Sequence, residues 1–222
     1  MKNKLTLPEE LLLIALDDDK GTFVQMPIMA LDYSLAGALI MELALQERVG
    51  IKDGKMHLQN DSDLNDKVYN KLLQMVASET ENKSVKFWIE KINLEFEDLK
   101  QEILQKLIGK KILMEKDKKV LWVFHRRRYP MIHAEEETEV RTRLREMILQ
   151  NGEPSTRDIV LLSLIQACGL IDEVFSEQEK QEHSKKIDEI AQLTTIGQEV
   201  HNEVQDFLEW YIMTQMQDNY YH

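Results

Sequence analysis

Cysteine occurs once in the 222 residues, at Cys168, so no disulfide framework can form within the chain, and such usage fits a reducing compartment. Cys168 lies in the apolar run IVLLSLIQACGLI and reads as a small buried hydrophobe, because a reactive thiol needs electropositive, partly exposed surroundings. Only 4 prolines and 8 glycines are present, which disfavours a many-turned β-sandwich and leaves room for long helices. Long apolar runs are missing as well. The longest stretch without a charged residue, 159–171, has 13 residues, enough for a core helix and too few to span a bilayer. At the N-terminus, the apolar stretch of MKNKLTLPEELLLIALDDDKG is brief. It ends on Asp17, Asp18 and Asp19 instead of the small residues of a signal-peptide cleavage site.

The usual tools of catalysis are equally scarce. Gly109-Lys110 lacks the preceding glycine of a phosphate-cradling P-loop, and no Gly-x-Ser-x-Gly elbow occurs. The six histidines are scattered, without a His-Glu-x-x-His pair or cysteine partners, so neither a metal nor another cofactor is expected. Asp17, Asp19 and Gly21 lack the later ligands of a calcium loop. Glu135, Glu136, Glu137 and Glu139 fit the start of a helix, where carboxylates oppose the positive end of the macrodipole. The chain is therefore expected not to be an enzyme.

What is present is helical periodicity. Thr6, Pro8, Glu9 and Glu10 mark the start of a first helix, which buries Leu11, Leu12, Ile14 and Ala15. Residues 28–47 are apolar nearly all round apart from Glu42, which predicts a central helix. Asp53-Gly54 between two short apolar runs predicts a hairpin. Further helices are expected over 64–78, 84–92, 94–109, 135–149, 155–170, 176–192 and 194–216, with a frayed tail beyond. A second hairpin is expected over 110–124, two apolar runs flanking a charged turn. The expectation is one mainly helical (all-α) domain over 1–222, its core spanning about 5–213. It would have a central helical core wrapped by amphipathic helices, with two small β-hairpins.

The formal charge is −12, which argues against a surface coated in nucleic acid. Residues 100–128 run the other way. There ten cations (Lys100, Lys106, Lys110, Lys111, Lys116, Lys118, Lys119, Arg126, Arg127 and Arg128) face three carboxylates. Arg141, Arg143 and Arg145 follow. The arginine triplet beside Leu121, Trp122 and Phe124 combines anion-binding groups with side chains that favour a membrane interface. Lys100, Arg126, Arg127, Arg128 and Arg143 are the expected contacts to anionic phosphate. Leu121, Trp122 and Phe124 are the expected hairpin contacts to lipid or to another subunit.

The blocks LTLPEELLLIALDDDKG, SLAGALIMELAL, LQKLIGKKILMEKDKKVLWVFHRRRYP and GEPSTRDIVLLSLIQACGLIDEVF resemble, in order and spacing from about Leu5 to Tyr211, those of the Golgi phosphoprotein 3 family. The resemblance implies a mainly helical fold and a peripheral, phosphatidylinositol 4-phosphate-binding adaptor. It further implies self-association through the hairpin, corresponding to 115–124. The family's headgroup-pocket positions fall at Met26 or Pro27, Ala36, Glu97 and Lys100, of which only the last is cationic. Because the first block lies at the very start of the sequence, the chain resembles a prokaryotic-type member. The expected partners are anionic phospholipid headgroups at a cytoplasmic membrane face, a further copy of the chain, and a protein whose identity the sequence does not give. The alternatives are a winged-helix-like nucleic-acid binder, built on the helix, hairpin and basic tail of 99–129, and a protein–protein scaffold without lipid binding.

Overall fold

The sixteen residues ALDYSLAGALIMELAL carry one acid in the first turn and one in the fourth, so a helix built from them must be enclosed on nearly every side. In the computed structural model this helix, α2 (Ala30–Leu45), is surrounded by α1 (Leu7–Ile14), α4 (Val85–Glu95), α5 (Leu99–Gly109) and α7 (Thr156–Ala167). The structure describes residues 4–17, 20–120, 124–132, 134–150, 152–196, 198–199 and 201–202, and for 117–120 and 124–127 it describes the backbone. Among these residues are eight α-helices, the others being α3 (Lys67–Ser78), α6 (Glu135–Leu149) and α8 (Glu177–Ala191). None is long and apolar enough to cross a membrane. The helix expected over 194–216 falls mostly outside the described residues.

Side-chain caps explain where most helices begin. Asp66, Ser84, Asp98, Ser155 and Ser176 each accept a backbone N–H from the first turn of α3, α4, α5, α7 and α8, respectively. At α1, the Thr6 N–H and hydroxyl both donate to the Glu9 carboxylate, at 2.7 and 3.0 Å. The α6 C-terminus is closed by Lys186 of α8, whose ammonium donates to the carbonyls of Met147 and Ile148, both at 2.7 Å.

The departure from simple amphipathicity is α1, whose eight residues are all buried, Glu9 and Glu10 included. Burying carboxylates is costly unless they are paired, and each is. Glu9 receives Lys110 at 2.7 Å, joining α1 to the end of α5. Glu10 receives Arg143 of α6 at 2.7 Å and Arg157 of α7 at 3.0 Å. Arg157 also donates to Glu42 of α2 at 3.1 Å and to the Leu5 carbonyl at 2.7 Å, while Glu42 takes the Leu7 N–H at 2.7 Å. Four helices thus meet on one buried ionic cluster. Around it runs a continuous apolar core that includes Leu7, Leu11, Leu39, Trp88, Leu107, Leu144 and Leu161.

Two antiparallel hairpins complete the described fold. β1 (Val49–Lys52) pairs with β2 (Lys55–Leu58) around Asp53 and Gly54, with φ of 53° and 69°. Two positive φ values are what a two-residue type I′ turn demands, and Asp-Gly supplies them. The second hairpin differs from the expected one. β3 (Lys116–Val120) and β4 (Phe124–Arg128) place the charged run KDKK inside a strand and not in the turn. The apolar run 112–114, expected as the first strand, instead pairs with 130–132 at the base of the hairpin, in the same register as the ladder. There Ile112 and Leu113 are buried, and Leu113 bridges Met131.

Between α6 and α8, Arg145 holds Glu179 through two guanidinium nitrogens, one at 2.8 Å. This hydrogen bond, followed by the Ser176 N–H, holds the Glu179 carboxyl down to about 2. A depressed folded-state pKa means that the contribution is complete above the ordinary value of 4.5 and is lost as pH falls towards about 2. Denaturant midpoints measured across that range are expected to fall less steeply with acid in an Arg145→Ala variant than in the parent.

Candidate functional site

The base of the β3–β4 hairpin is a set of backbone contacts that fix where the cationic strands leave the core. The Met114 N–H donates to the Pro130 carbonyl at 3.0 Å, and the Ile132 N–H donates to the Ile112 carbonyl at 2.8 Å. The Tyr129 N–H donates to the Gly21 carbonyl at 2.7 Å, and its hydroxyl hydrogen-bonds the Gln101 side-chain oxygen at 3.0 Å. Gly21 belongs to a tight loop in which Leu16 bridges Phe23. Its φ is +60°, and a Cβ there would lie 2.4 Å from the Pro130 nitrogen. The absent side chain is what allows the two backbones to touch. Met114 and Ile132, 37% and 41% exposed, leave an apolar rim beside this base.

Along the hairpin the register pairs Lys116 with Arg128, Asp117 with Arg127, Lys118 with Arg126, Lys119 with His125 and Val120 with Phe124. Of the expected anion contacts, Arg126, Arg127 and Arg128 therefore fall within β4, across from β3 cations at two of three positions. Leu121 and Trp122 lie outside the described residues, and Phe124 is the first residue of β4. Lys100 is on the first turn of α5 next to Gln101, as Arg128 is next to Tyr129, so each is one residue from the Gln101–Tyr129 hydrogen bond.

Arg143 is elsewhere. Its guanidinium is engaged by Glu10 and Asp158 at the junction of α1, α6 and α7, so it is an internal tie between helices and is already committed to two carboxylates. Nothing local to Arg143 announces this, because its partners lie 133 and 15 residues away.

The positions marked by the resemblance also part company. Ala36 is fully buried in α2. Glu97 and Lys100 line a cleft of about 270 Å³ with Asp32, Asn93, Phe96 and Asp98. Lys100 approaches Asp32 at 3.6 Å and lies 5.6 Å from the centre of the Phe23 ring. Three carboxylates against one ammonium make this cleft a poor place for a phosphate. Cys168 is fully buried, with its thiol pushed up to about 12 by burial, and is unreactive on that account.

The clamp formed by Gly21 and Tyr129 is what sequence reasoning missed. Gly21 could be read as a helix stop, but nothing local indicates which backbone it meets. The model of the Golgi phosphoprotein 3 (GPP34) family matches the chain over residues 7–207. No individual curated protein matches the chain. Because the match takes in α1, the helical body and the hairpin together, the chain belongs to the Golgi phosphoprotein 3 (GPP34) family.

Proposed function

We propose that the chain is a peripheral membrane protein of adaptor type, with no reaction of its own, that meets phosphatidylinositol 4-phosphate-like headgroups at a cytoplasmic membrane face. The observation that carries this reading is the hairpin register, which sets Lys116 across from Arg128 and Lys118 across from Arg126. Cations near an anionic leaflet contribute about 1 kcal/mol each, so the arginine triplet together with Lys116 and Lys118 suffices for reversible attachment. Family membership supports the same reading. The contacts differ from those the resemblance implies, because the cleft around Lys100 is acidic and the hairpin holds the cations.

The test is co-sedimentation with neutral vesicles, vesicles of a generic anionic lipid, and vesicles containing phosphatidylinositol 4-phosphate at matched charge. Binding to both anionic preparations and not to the neutral one is expected. The Arg126→Ala/Arg127→Ala/Arg128→Ala variant should bind about a hundredfold more weakly, three contributions of about 1 kcal/mol each. Undiminished binding by that variant would remove the hairpin from the site, and a preference for phosphatidylinositol 4-phosphate would assign headgroup selectivity to it.

A further inference from the structure

We propose that the β3–β4 hairpin is an electrostatic stand-off, which meets an anionic leaflet end-on and holds an acidic body beyond the reach of that leaflet's field. Binding is then tightest near physiological salt and weakens on dilution, the reverse of an ordinary cationic surface. The inference rests on the reading of the hairpin as the membrane contact. It adds how a chain of net charge −12 is retained by a surface of its own sign.

Of the 28 cations and 40 carboxylates in the chain, 6 and 1 fall within 116–128, which leaves 22 and 39 elsewhere. The hairpin is therefore +5 and the remainder −17. The near side of the remainder is acidic too. The Gln101–Tyr129 hydrogen bond sets the base of β4 against the start of α5, where the cleft is lined by Asp32, Glu97 and Asp98. Glu95 closes α4 and Glu97 follows in the link to α5, both exposed.

Distance decides which of these charges a membrane feels. The base is held by the Tyr129 N–H on Gly21 and the Met114 N–H on Pro130, and the ladder runs on from it in one register to Val120/Phe124. Among the described residues no helix packs along either strand, so the ribbon leaves the body instead of lying on it. Phe124 is five residues from Tyr129 along β4, about 17 Å at about 3.4 Å per residue. The outermost pair is apolar and the cationic positions lie behind it, an order that suits end-on approach to a leaflet.

The pull or push of a leaflet on a charge decays over the screening length, about 8 Å at 0.15 M salt and about 30 Å at 0.01 M. Across about 17 Å the field falls to about one-eighth at the higher salt, but only to about one-half at the lower. At physiological salt the hairpin's net +5 therefore acts almost alone. In dilute salt the −17 of the body is felt as well, and it outweighs the hairpin.

The experiment is co-sedimentation of the whole chain with phosphatidylserine-containing vesicles at about 10, 50, 150 and 500 mM sodium chloride. Affinity is expected to peak near about 150 mM, about tenfold tighter than at about 10 mM, and to fall again at about 500 mM as the hairpin itself is screened. Glu95→Gln/Glu97→Gln changes the body and leaves the hairpin alone. It should bind about fivefold tighter than the parent at about 10 mM and within about twofold of it at about 150 mM. Affinity that rises steadily on dilution would overturn the stand-off and leave the membrane reading in place. An equal gain by the variant at both salts would do the same, because the body would then lie within screening distance of the leaflet. Binding to no vesicle at any salt would overturn the membrane reading, and this inference with it.

Discussion

Replacing Arg157 by alanine is expected to cost about 3–5 kcal/mol of stability, read as a fall in the urea midpoint at unchanged slope. Arg157 is 14% exposed and touches three segments at once: Glu10 of α1, Glu42 of α2 and the Leu5 carbonyl. Removing it leaves two buried carboxylates short of a partner, the expensive way to break an ionic cluster. Glu10 keeps Arg143 and Glu42 keeps Gln46 and the Leu7 N–H, so the fold is weakened and not abolished. The loss should also depend on pH. Burial already raises the Glu10 carboxyl above its ordinary 4.5, and Arg157 is the largest influence pulling it back down. Without Arg157 it rises further. A raised folded-state pKa gives stability that is present in acid and lost as pH rises through it, so the gap between variant and parent is expected to narrow from pH 7 towards pH 4.5. A gap independent of pH would mean that Glu10 is not the group left uncompensated.

Gly21→Ala is the second large effect, and it separates the hairpin clamp from the core. At φ +60° an added Cβ would lie 2.4 Å from the Pro130 nitrogen and 2.7 Å from the Tyr129 carbonyl carbon, both backbone atoms that cannot swing aside. Left-handed strain of about 1–2 kcal/mol and displacement of the facing strand together should cost about 2–4 kcal/mol. The Tyr129 amide, which donates to Gly21, is expected to lose exchange protection beyond the global change. Gly54 provides the comparison. Its φ is +69° but nothing lies within 4 Å of an added Cβ, so Gly54→Ala should carry the strain alone. Equal costs at the two glycines would mean that the close approach at Gly21 carries no energy.

The elements that the sequence announced are those encoded by near neighbours. Ser84 accepts the Phe87 N–H of a helix that begins one residue later, and Asp53-Gly54 meets the φ demands of its own turn. The central place of α2 was legible because an almost uniformly apolar helix has no face to show water. The second hairpin was misread for a related reason. Pattern reading assigns apolar runs to strands and charged runs to turns, whereas here a charged run pairs within the ladder and the apolar 112–114 anchors it. Register is set by the backbone contacts at Tyr129, Met114 and Ile132, whose partners are 108, 16 and 20 positions away in the chain. Arg143 fails as an anion contact on the same ground. Its chemistry was apparent from its type, but the carboxylates that claim it lie on α1 and at the start of α7. The arginine triplet was visible from composition. That Lys116 and Lys118 stand across from two of its members required the register.

The ionic cluster under α1 also sets an order of events during synthesis. Glu10 and Arg157 are 147 residues apart, and the Leu5 carbonyl and Arg157 are 152 apart. A ribosome adding about 5–20 residues per second needs about 7–30 s to cover that distance. Throughout it, eight residues destined for complete enclosure, four leucines and an isoleucine among them, have no finished interior to enter. The segment made early is thus settled late, and closing so long a loop slows the final step. Of the two carboxylates in that waiting segment, Glu9 meets Lys110 once the end of α5 has been made, whereas Glu10 has its partners only when α6 and α7 arrive with Arg143 and Arg157.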